Sequence, residues 1–317
     1  MKALIYDGRL EYTSRYPAPE MGEGEALIKV RYAGICATDI EITRGYMGFK
    51  GVPGHEFSGV IEDASLKGLI GERVTGEINL SCGSCYYCDR GMRTHCANRS
   101  VLGIFKRDGA FAEYLTLPVE NLHALPDSIS DEEGVFVEPL AAAFEILDQI
   151  DIGRDKNVCV LGDGRLGILV AEVLSLTGCV LIAAGHSREK LSILEARGIK
   201  TAPGTEGLKK EYDIVVDCTG RGEGLREALK LVRPRGTIVL KTTVADRTGA
   251  DLNAVVIDEI TLIGSRCGPF KPAIRALAEK AVDVEPLVSR VFPVEEGVEA
   301  FEFAKRKGVI KVLLKVS

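Results

Sequence analysis

The chain has 317 residues, with 40 Lys and Arg against 46 Asp and Glu, and its formal net charge is −6. This length exceeds the ~100–200 residues of a single domain, so two domains are expected. The acidic balance disfavours nucleic acid as a partner, and a composition of 46% hydrophobic and 27% charged residues disfavours global disorder and fibrous repeats.

The first 125 residues predict a strand-rich domain. They are rich in glycine and carry short β-prone runs at 26–34 (ALIKVRYAG), 57–62 (FSGVIE) and 110–118 (AFAEYLTLP). From about Glu138 onward, apolar strands such as VCVLG alternate with helical segments such as LGILVAEVLSLTG. That alternation predicts a doubly wound parallel sheet, so the expected fold class is α/β.

The last part of the chain returns to a mixed character. Two amphipathic helices, AIRALAEKAV and VEEGVEAFEFAKRKG, precede a closing strand, VIKVLLKV, which we expect to rejoin the first domain. The predicted organisation is a strand-rich domain over residues 1–139, a parallel-sheet domain over 140–272, and a C-terminal segment over 273–317 that returns to the strand-rich domain.

Four cysteines crowd into one loop. Cys82, Cys85, Cys88 and Cys96 form C-x2-C-x2-C-x7-C, a spacing at which four thiolates can surround one tetrahedral Zn²⁺ ion. Four sulfur ligands leave no open coordination position, so the pattern predicts a structural zinc that holds the loop. The alternatives are reduced buried thiols, disulfides, or a nucleic-acid-binding zinc module, which the acidic composition disfavours.

The cellular location bears on this choice. The sequence has no run of ~18 apolar residues of the kind that spans a membrane, and its first residues, MKALIYDGRLEY, lack the apolar run of a signal peptide. We therefore expect a cytoplasmic protein without a membrane partner. Thiols stay reduced in the cytoplasm, and this favours metal binding over disulfides.

A second group of candidate metal ligands is spread over two motifs. Cys36 lies in GICATDI, and His55 and Glu56 lie in PGHEFSG. A Cys and a His from different loops, with a carboxylate from a third place, would leave one position of a zinc ion open, as in catalytic sites. Taken singly, such a Cys is more often a buried hydrophobe, and such a His a satisfied polar group.

A glycine motif predicts a dinucleotide site. G-x-G-x-x-G stands directly between the strand VCVL and a helix, where glycine permits a tight turn and close approach of the backbone to a pyrophosphate. A glycine-rich turn without a ligand is the alternative. The predicted cofactor-binding residues are Gly162, Gly164, Arg165, Leu166, Gly167, His186, Ser187, Arg188 and Thr219.

The end of the next strand bears on the choice of nicotinamide cofactor, because NAD-binding domains place an acid there for the ribose 2′-hydroxyl. Gly185 stands at that position, and His186, Ser187 and Arg188 follow. A guanidinium can bind a 2′-phosphate bidentately, so we predict a preference for NADP over NAD. The alternative is that Ser187 only caps the following helix and that Arg188 is solvated.

The motifs occur in the order of a known family. With DGAFAEY at 108–114, VEPLA at 137–141 and GDGRLG at 162–167, the chain resembles the zinc-dependent medium-chain alcohol dehydrogenases over essentially its whole length. It is most similar to the branch of sorbitol and threonine dehydrogenases. The resemblance implies that the strand-rich domain is a GroES-like catalytic domain and that the parallel-sheet domain is a Rossmann cofactor domain.

The resemblance also implies a ligand set. Cys36, His55 and Glu138 would hold a catalytic zinc, and Glu56 would stand beside it, either bound directly or exchanging with water. For Glu138 there is a structural alternative, because Glu before Pro139 is also typical of a helix start, where the carboxylate lies near the positive end of the helix.

The implied reaction is reversible oxidation of a secondary alcohol or polyol by NAD(P), through a zinc-bound alkoxide that gives hydride to the nicotinamide. Asp39 would orient the imidazole of His55, and Thr38 would contact the substrate oxygen and take up its proton. Many members have a His five residues after the zinc Cys, where this chain has Glu41. Glu41 is either a relay carboxylate or a surface acid, with the proton then leaving by water.

Two other functions stay open. A zinc-free, NADPH-dependent enoyl or quinone reductase of the same superfamily would not need the two zinc patterns, and a catalytically silent nucleotide sensor would not need Thr38 or an open metal position. The expected partner is a small-molecule alcohol or carbonyl compound that the sequence does not identify. The resemblance further implies a homo-oligomer, dimer or tetramer, with TLIGSR (261–266) as its candidate interface.

Overall fold

The structure is a computed structural model that describes residues 1–242 and 252–317. The chain divides into two compact units, one formed by Met1–Glu138 with Ala273–Ser317 and the other by Pro139–Pro272. In the described ranges, no helix combines the length and the apolar character that crossing a membrane requires. The prediction of an α/β fold with a strand-rich domain and a parallel-sheet domain is confirmed.

The first unit begins with strands of 2 to 11 residues and two short α-helices. These are β1 (Ala3–Tyr6), β2 (Leu10–Thr13), β3 (Glu25–Ile35), α1 (Ala37–Ile42), β4 (Glu56–Ala64), β5 (Arg73–Gly76), β6 (Asn79–Leu80), β7 (Ser100–Val101), β8 (Tyr114–Pro118), β9 (Leu122–Ala124) and α2 (Asp131–Gly134). In β3, buried Ala26, Ile28 and Val30 alternate with less buried residues, as expected for a strand that covers a core with one face.

The middle of the chain alternates helices and strands. These are α3 (Val137–Gln149), β10 (Asn157–Leu161), α4 (Arg165–Ser175), β11 (Val180–Gly185), α5 (Arg188–Ala196), β12 (Lys200–Pro203), β13 (Tyr212–Asp217), α6 (Gly224–Leu231), β14 (Val232–Leu240), α7 (Leu252–Ile257), β15 (Thr261–Gly264) and α8 (Phe270–Ala278). The strands form a six-stranded parallel sheet in the order β12-β11-β10-β13-β14-β15.

The strand order locates the ligand-binding edge of this sheet. The chain leaves β10 toward β11 on one side and later returns to place β13 on the other side. A crevice forms at the carboxyl ends of strands where the order reverses in this way, and ligands of doubly wound sheets bind there. Gly162 lies directly at this point, after the last residue of β10.

The C-terminal part belongs to the first unit and contains β16 (Val288–Pro293), α9 (Gly297–Ala304) and β17 (Lys311–Lys315). β17 pairs antiparallel with β3, with Val312 opposite Ile35 and Leu314 opposite Ala33. The sheet of this unit has the order β16-β17-β3-β4-β5-β9, and β8 also pairs with β3. The C-terminal strand therefore completes the sheet that carries the ends of β3 and β4.

Three glycines hold the loop that precedes β4. A Cβ on Gly103 or on Gly109 would lie 2.1 Å from the carbonyl oxygen of Gly54, so the backbones meet where no side chain fits. The same oxygen accepts a hydrogen bond of 2.9 Å from the backbone N–H of Ala110. This packing fixes the residue immediately before His55.

We expect Gly109→Ala to lower the free energy of unfolding by about 2 kcal/mol or more, because the added methyl group collides with backbone that has no freedom to move aside. The matched control is Gly68→Ala, where a Cβ would meet nothing within 4 Å. Urea unfolding of both variants measures the difference. Equal stabilities of the two variants would show that the glycine contact is not tight.

Candidate functional site

The carboxylate of Asp39 joins two loops of the first unit. Asp39 is the third residue of α1 and is fully buried. Its Oδ2 accepts a hydrogen bond of 2.8 Å from the backbone N–H of Cys36, and its Oδ1 accepts one of 3.2 Å from the backbone N–H of Gly54. The loop that carries Cys36 is thereby tied to the loop that carries His55.

Three candidate ligands converge beside Asp39. The ligand atoms of Cys36, His55 and Glu56 all lie within 4.8 Å of one another. His55 and Glu56 are only 3% and 1% exposed, and within residues 1–242 and 252–317 Glu56 Oε1 has no hydrogen-bond partner. Thiolate, imidazole and carboxylate are the donors that zinc prefers, and a buried oxygen without a partner needs a ligand. The donor set therefore fits a bound zinc ion.

The charges around His55 favour a cation. Burial lowers the pKa of His55, but the nearby charge of Asp39 and the contact with Cys36 outweigh it, so that the pKa lies well above its usual value. The Oδ1 atom of Asp39 is 3.3 Å from Nδ1 of the ring, although the two atoms are not aligned for a hydrogen bond. Surroundings that hold a proton on the ring also stabilise a metal ion there.

Sequence reasoning missed Lys311, the first residue of β17. Its Nζ donates a hydrogen bond to Oε2 of Glu56, and both side chains are 1% exposed. Gly34 lies opposite Glu56 in the sheet, and a Cβ there would lie 2.6 Å from that same oxygen. The available signal was a lysine inside an otherwise apolar closing strand, since an unpaired lysine is almost never fully buried.

The other predicted catalytic residues are placed differently. Thr38 lies in the first turn of α1, half-buried, with its Oγ1 3.9 Å from Sγ of Cys36. Glu41 has a side chain that is 51% exposed and forms an ion pair of 2.6 Å with Arg44. Glu138 is the second residue of α3, half-buried, and it is not among the three residues whose ligand atoms converge. Glu56 is thus the carboxylate that the structure brings together with Cys36 and His55, and the role of Glu138 stays a prediction.

The four-cysteine loop has the dimensions of a metal site. The sulfur atoms of Cys82 and Cys96 are 3.5 Å apart, those of Cys85 and Cys88 3.6 Å, and those of Cys85 and Cys96 3.8 Å. A tetrahedron with Zn–S bonds of ~2.3 Å has edges of about 3.8 Å. All four are free thiols. Backbone N–H groups, that of Cys88 foremost, lower the pKa of Cys85 to about 6, which favours the metal-binding thiolate.

The glycine motif of the second unit forms a strand-to-helix turn. Gly162 has φ +111°, and a Cβ on Gly167 would lie 2.0 Å from the Gly162 carbonyl oxygen. Gly164 precedes α4 at its N-cap, and a Cβ there would meet nothing within 4 Å. The first and third glycines therefore allow close packing, whereas the second leaves the backbone open to a ligand.

A cavity of about 190 Å³ lies at the carboxyl ends of β10 and β11. Of the predicted cofactor residues, Gly162, His186 and Thr219 line it. Sequence reasoning missed four further lining residues with charged side chains, namely Asp163, Arg221, Glu223 and Glu227.

Two predicted cofactor residues begin the next helix. Ser187 is the N-cap of α5, but its side chain makes no capping hydrogen bond. Arg188, the first residue of α5, is exposed and does not line the cavity. The expected contact between Arg188 and a 2′-phosphate stays a prediction.

Two parts of the chain match known families. Residues 22–127 match the family described as alcohol dehydrogenase GroES-like domain, and residues 166–282 match the family described as zinc-binding dehydrogenase. The first range contains both groups of candidate metal ligands. The second range covers most of the parallel-sheet unit.

Similar proteins cover almost the whole chain. A sorbitol dehydrogenase of Halalkalibacterium halodurans is 31% identical over 94% of this chain and 93% of its own length. A solved structure from Escherichia coli CFT073, described as a short chain alcohol dehydrogenase complexed with NADH, has a TM-score of 0.91 at 27% identity and covers 100% of this chain and 99% of its own. A zinc-binding dehydrogenase of Sinorhizobium meliloti 1021 bound to NADP has a TM-score of 0.92 at 26% identity, with 99% of each chain covered.

We expect Lys311→Met to lower the free energy of unfolding by about 3–5 kcal/mol, because it leaves the buried carboxylate of Glu56 without its partner. Lys311→Met/Glu56→Gln should recover most of that loss, since no unpaired charge is left. The control is Lys315→Met, at the exposed end of the same strand. Chemical denaturation of these three variants, of Glu56→Gln alone and of the wild type measures the coupling, and additive losses would contradict it.

Proposed function

Because the chain belongs to the zinc-dependent medium-chain alcohol dehydrogenases, we propose that it transfers hydride between a secondary alcohol or polyol and NAD(P) at the site of Cys36, His55 and Glu56. The observation that supports this best is the convergence of these three ligand atoms within 4.8 Å. A zinc-free reductase would have no use for that donor set, nor for the four-cysteine loop.

The ligand roles follow from the contacts of each side chain. Zinc bound at this site would supply a Lewis acid that polarises the substrate oxygen. Cys36 and His55 would hold the ion, and Glu56 would bind through Oε1 while its Oε2 stays on Lys311. Glu138 is the alternative third ligand that the family resemblance implies, in which case Glu56 would stand beside the ion.

Two further side chains would act around the ion. Asp39 would keep the imidazole of His55 in one orientation and would add negative charge that strengthens its metal binding. The hydroxyl of Thr38, next to Cys36, would accept the proton of the substrate hydroxyl and pass it to water. Glu41, already paired with Arg44 at the surface, is the weaker candidate for the next step of this relay.

The nucleotide would bind along the glycine turn, with its pyrophosphate at the N-terminus of α4. The open backbone at Gly164 supports this placement. The NADP preference expected from Arg188 stays a prediction at this point, because that residue is exposed and does not line the cavity. We also propose a cytosolic location, because the four-cysteine loop needs reduced thiols.

The test is turnover of a panel of alcohols, polyols, 3-hydroxy acids and sugars with NAD⁺ and NADP⁺, followed by absorbance of the reduced nicotinamide.

We expect about two zinc ions per chain by metal analysis. Cys36→Ser should lose one zinc ion and lower the activity by more than about a hundredfold, because a ligand of the reacting centre is gone. Cys85→Ser should lose the other zinc ion and thermal stability, but keep activity at temperatures where it stays folded.

The control is Cys179→Ser, a half-buried thiol outside both ligand groups, which should leave zinc content and activity unchanged. Full activity in Cys36→Ser would remove the proposed site. Nucleotide binding without turnover of any panel compound would favour the sensor.

We propose that the chain forms a homo-oligomer through the β15 edge of the parallel sheet. β15 is the last strand in the sheet order, and the preceding helix α7 exposes Val256 and Ile257 by 77% and 78%. Leu252 on the same helix and Leu262 on β15 are exposed as well. Apolar side chains beside an open strand edge are unfavourable in water, and pairing with a second copy would cover them.

Light scattering after size-exclusion chromatography should therefore find wild-type dimers or tetramers. Val256→Glu/Ile257→Lys should shift the protein to monomers, since charges in an apolar interface lose their hydration. Leu176→Glu is the control, because it changes an exposed apolar residue at the end of α4. A monomeric wild type, or an unchanged mass of the double variant, would contradict this interface.

A further inference from the structure

The cavity of the parallel-sheet unit contains a carboxylate in an unexpected place. Gly185 ends β11, and the three atoms nearest to a Cβ built on it all belong to Asp163, at 2.5, 2.7 and 2.7 Å. Oδ2 of Asp163 accepts hydrogen bonds from the backbone N–H groups of His186, at 2.7 Å, and of Ser187, at 2.5 Å. The glycine turn thus places the carboxylate of Asp163 at the end of β11, where the strand itself has no acidic side chain.

We propose that Asp163 is the residue that selects the cofactor, and that it selects NAD over NADP. Its carboxylate takes the place of the acid that NAD-binding domains otherwise carry at the end of the second strand. The inference rests on the proposed function, in that a nicotinamide dinucleotide occupies this cavity.

The free oxygen of Asp163 can recognise a ribose. Within residues 1–242 and 252–317, Oδ1 accepts no hydrogen bond, and the side chain is half-buried in the cavity lining. A carboxylate oxygen accepts strongly from a hydroxyl group, so Oδ1 is suited to a ribose 2′-hydroxyl. The two hydrogen bonds of Oδ2 keep the carboxylate in position for that contact.

The same carboxylate disfavours a 2′-phosphate. The backbone N–H groups of His186 and Ser187, which immediately precede α5 and would suit a phosphate oxygen, already donate to Asp163. Glu223 and Glu227 also line the cavity, and among the described lining residues Arg221 carries the one guanidinium. A phosphate would therefore meet like charge at this end of the site.

This inference opposes the NADP preference expected from the sequence. That expectation assumed that no carboxylate stands at the end of β11, because Gly185 occupies the usual position. The absence of a side chain at Gly185 instead makes room for Asp163 from another loop.

The first test measures the affinities of NADH and NADPH for the zinc-loaded full-length protein by titration calorimetry, without any alcohol. Wild type should bind NADH more tightly. Asp163→Asn keeps an acceptor for the two N–H groups but removes the charge, and it should raise the NADPH-to-NADH affinity ratio by at least about tenfold. Asp155→Asn is the matched control, because this carboxylate is exposed and is paired with Lys156 away from the cavity.

A second test moves the carboxylate from position 163 in the glycine turn to position 185 at the end of β11. Asp163→Gly should lose the preference for NADH, and Asp163→Gly/Gly185→Asp should regain it by placing a carboxylate on the strand itself. Gly185→Ala alone should lower the melting temperature, because its methyl group collides with Asp163, and Asp163→Gly should relieve this loss. These variants decide the matter if Asp163→Asn does not fold.

The outcomes separate the inference from the proposed function. A wild type that binds neither nucleotide overturns the proposed function, and the inference with it. Binding of both nucleotides at a ratio that no change of Asp163 alters overturns only the inference. A wild-type preference for NADPH that disappears in Arg188→Ala also overturns it and assigns the selection to Arg188.

Discussion

Two hydrogen bonds to the carboxylate of Asp39 hold the geometry of the candidate metal site. One ligand precedes α1 and another precedes β4, and the backbone N–H groups of Cys36 and Gly54 both donate hydrogen bonds to this side chain. A buried carboxylate is costly unless it is hydrogen-bonded, so the loops stabilise Asp39 as much as Asp39 positions them. Its charge then acts on His55, where it favours a cation. Loop geometry and metal affinity thus depend on one group.

The parallel-sheet unit contains a similar arrangement with the opposite electrostatic effect. Asp163 also accepts hydrogen bonds from two backbone N–H groups, those of His186 and Ser187, and so ties the glycine turn to the start of α5. Beside a metal site the charge of such a carboxylate attracts the ligand, whereas beside a nucleotide site it repels any added phosphate. A carboxylate that accepts hydrogen bonds from two loops therefore also affects whether the adjoining site favours a positively or a negatively charged ligand group.

Much of this architecture could be predicted because its signals are local. The parallel sheet follows from apolar strands that alternate with helices, and the four-cysteine loop follows from its spacing alone. The contacts that could not be predicted join distant parts of the chain: Lys311 reaches Glu56 from the last strand, and Asp163 fills the space at Gly185. In both cases the sequence contained a sign, a lysine in an apolar strand and a glycine at a strand end. It did not indicate which distant residue each of them contacts.

The pair of Lys311 and Glu56 gives the C-terminal segment a role beyond completing the sheet. A buried ion pair stabilises a fold little more than apolar residues of the same volume would, since both charges lose their hydration. Its use here is electrostatic, because Lys311 pairs its positive charge with Oε2 of Glu56 next to Cys36 and His55, while Oε1 has no hydrogen-bond partner among the residues that the structure describes. Gly34 provides the space for both side chains. The return of the chain to the first unit therefore supplies the positive charge that pairs with the carboxylate of Glu56 beside the candidate metal site.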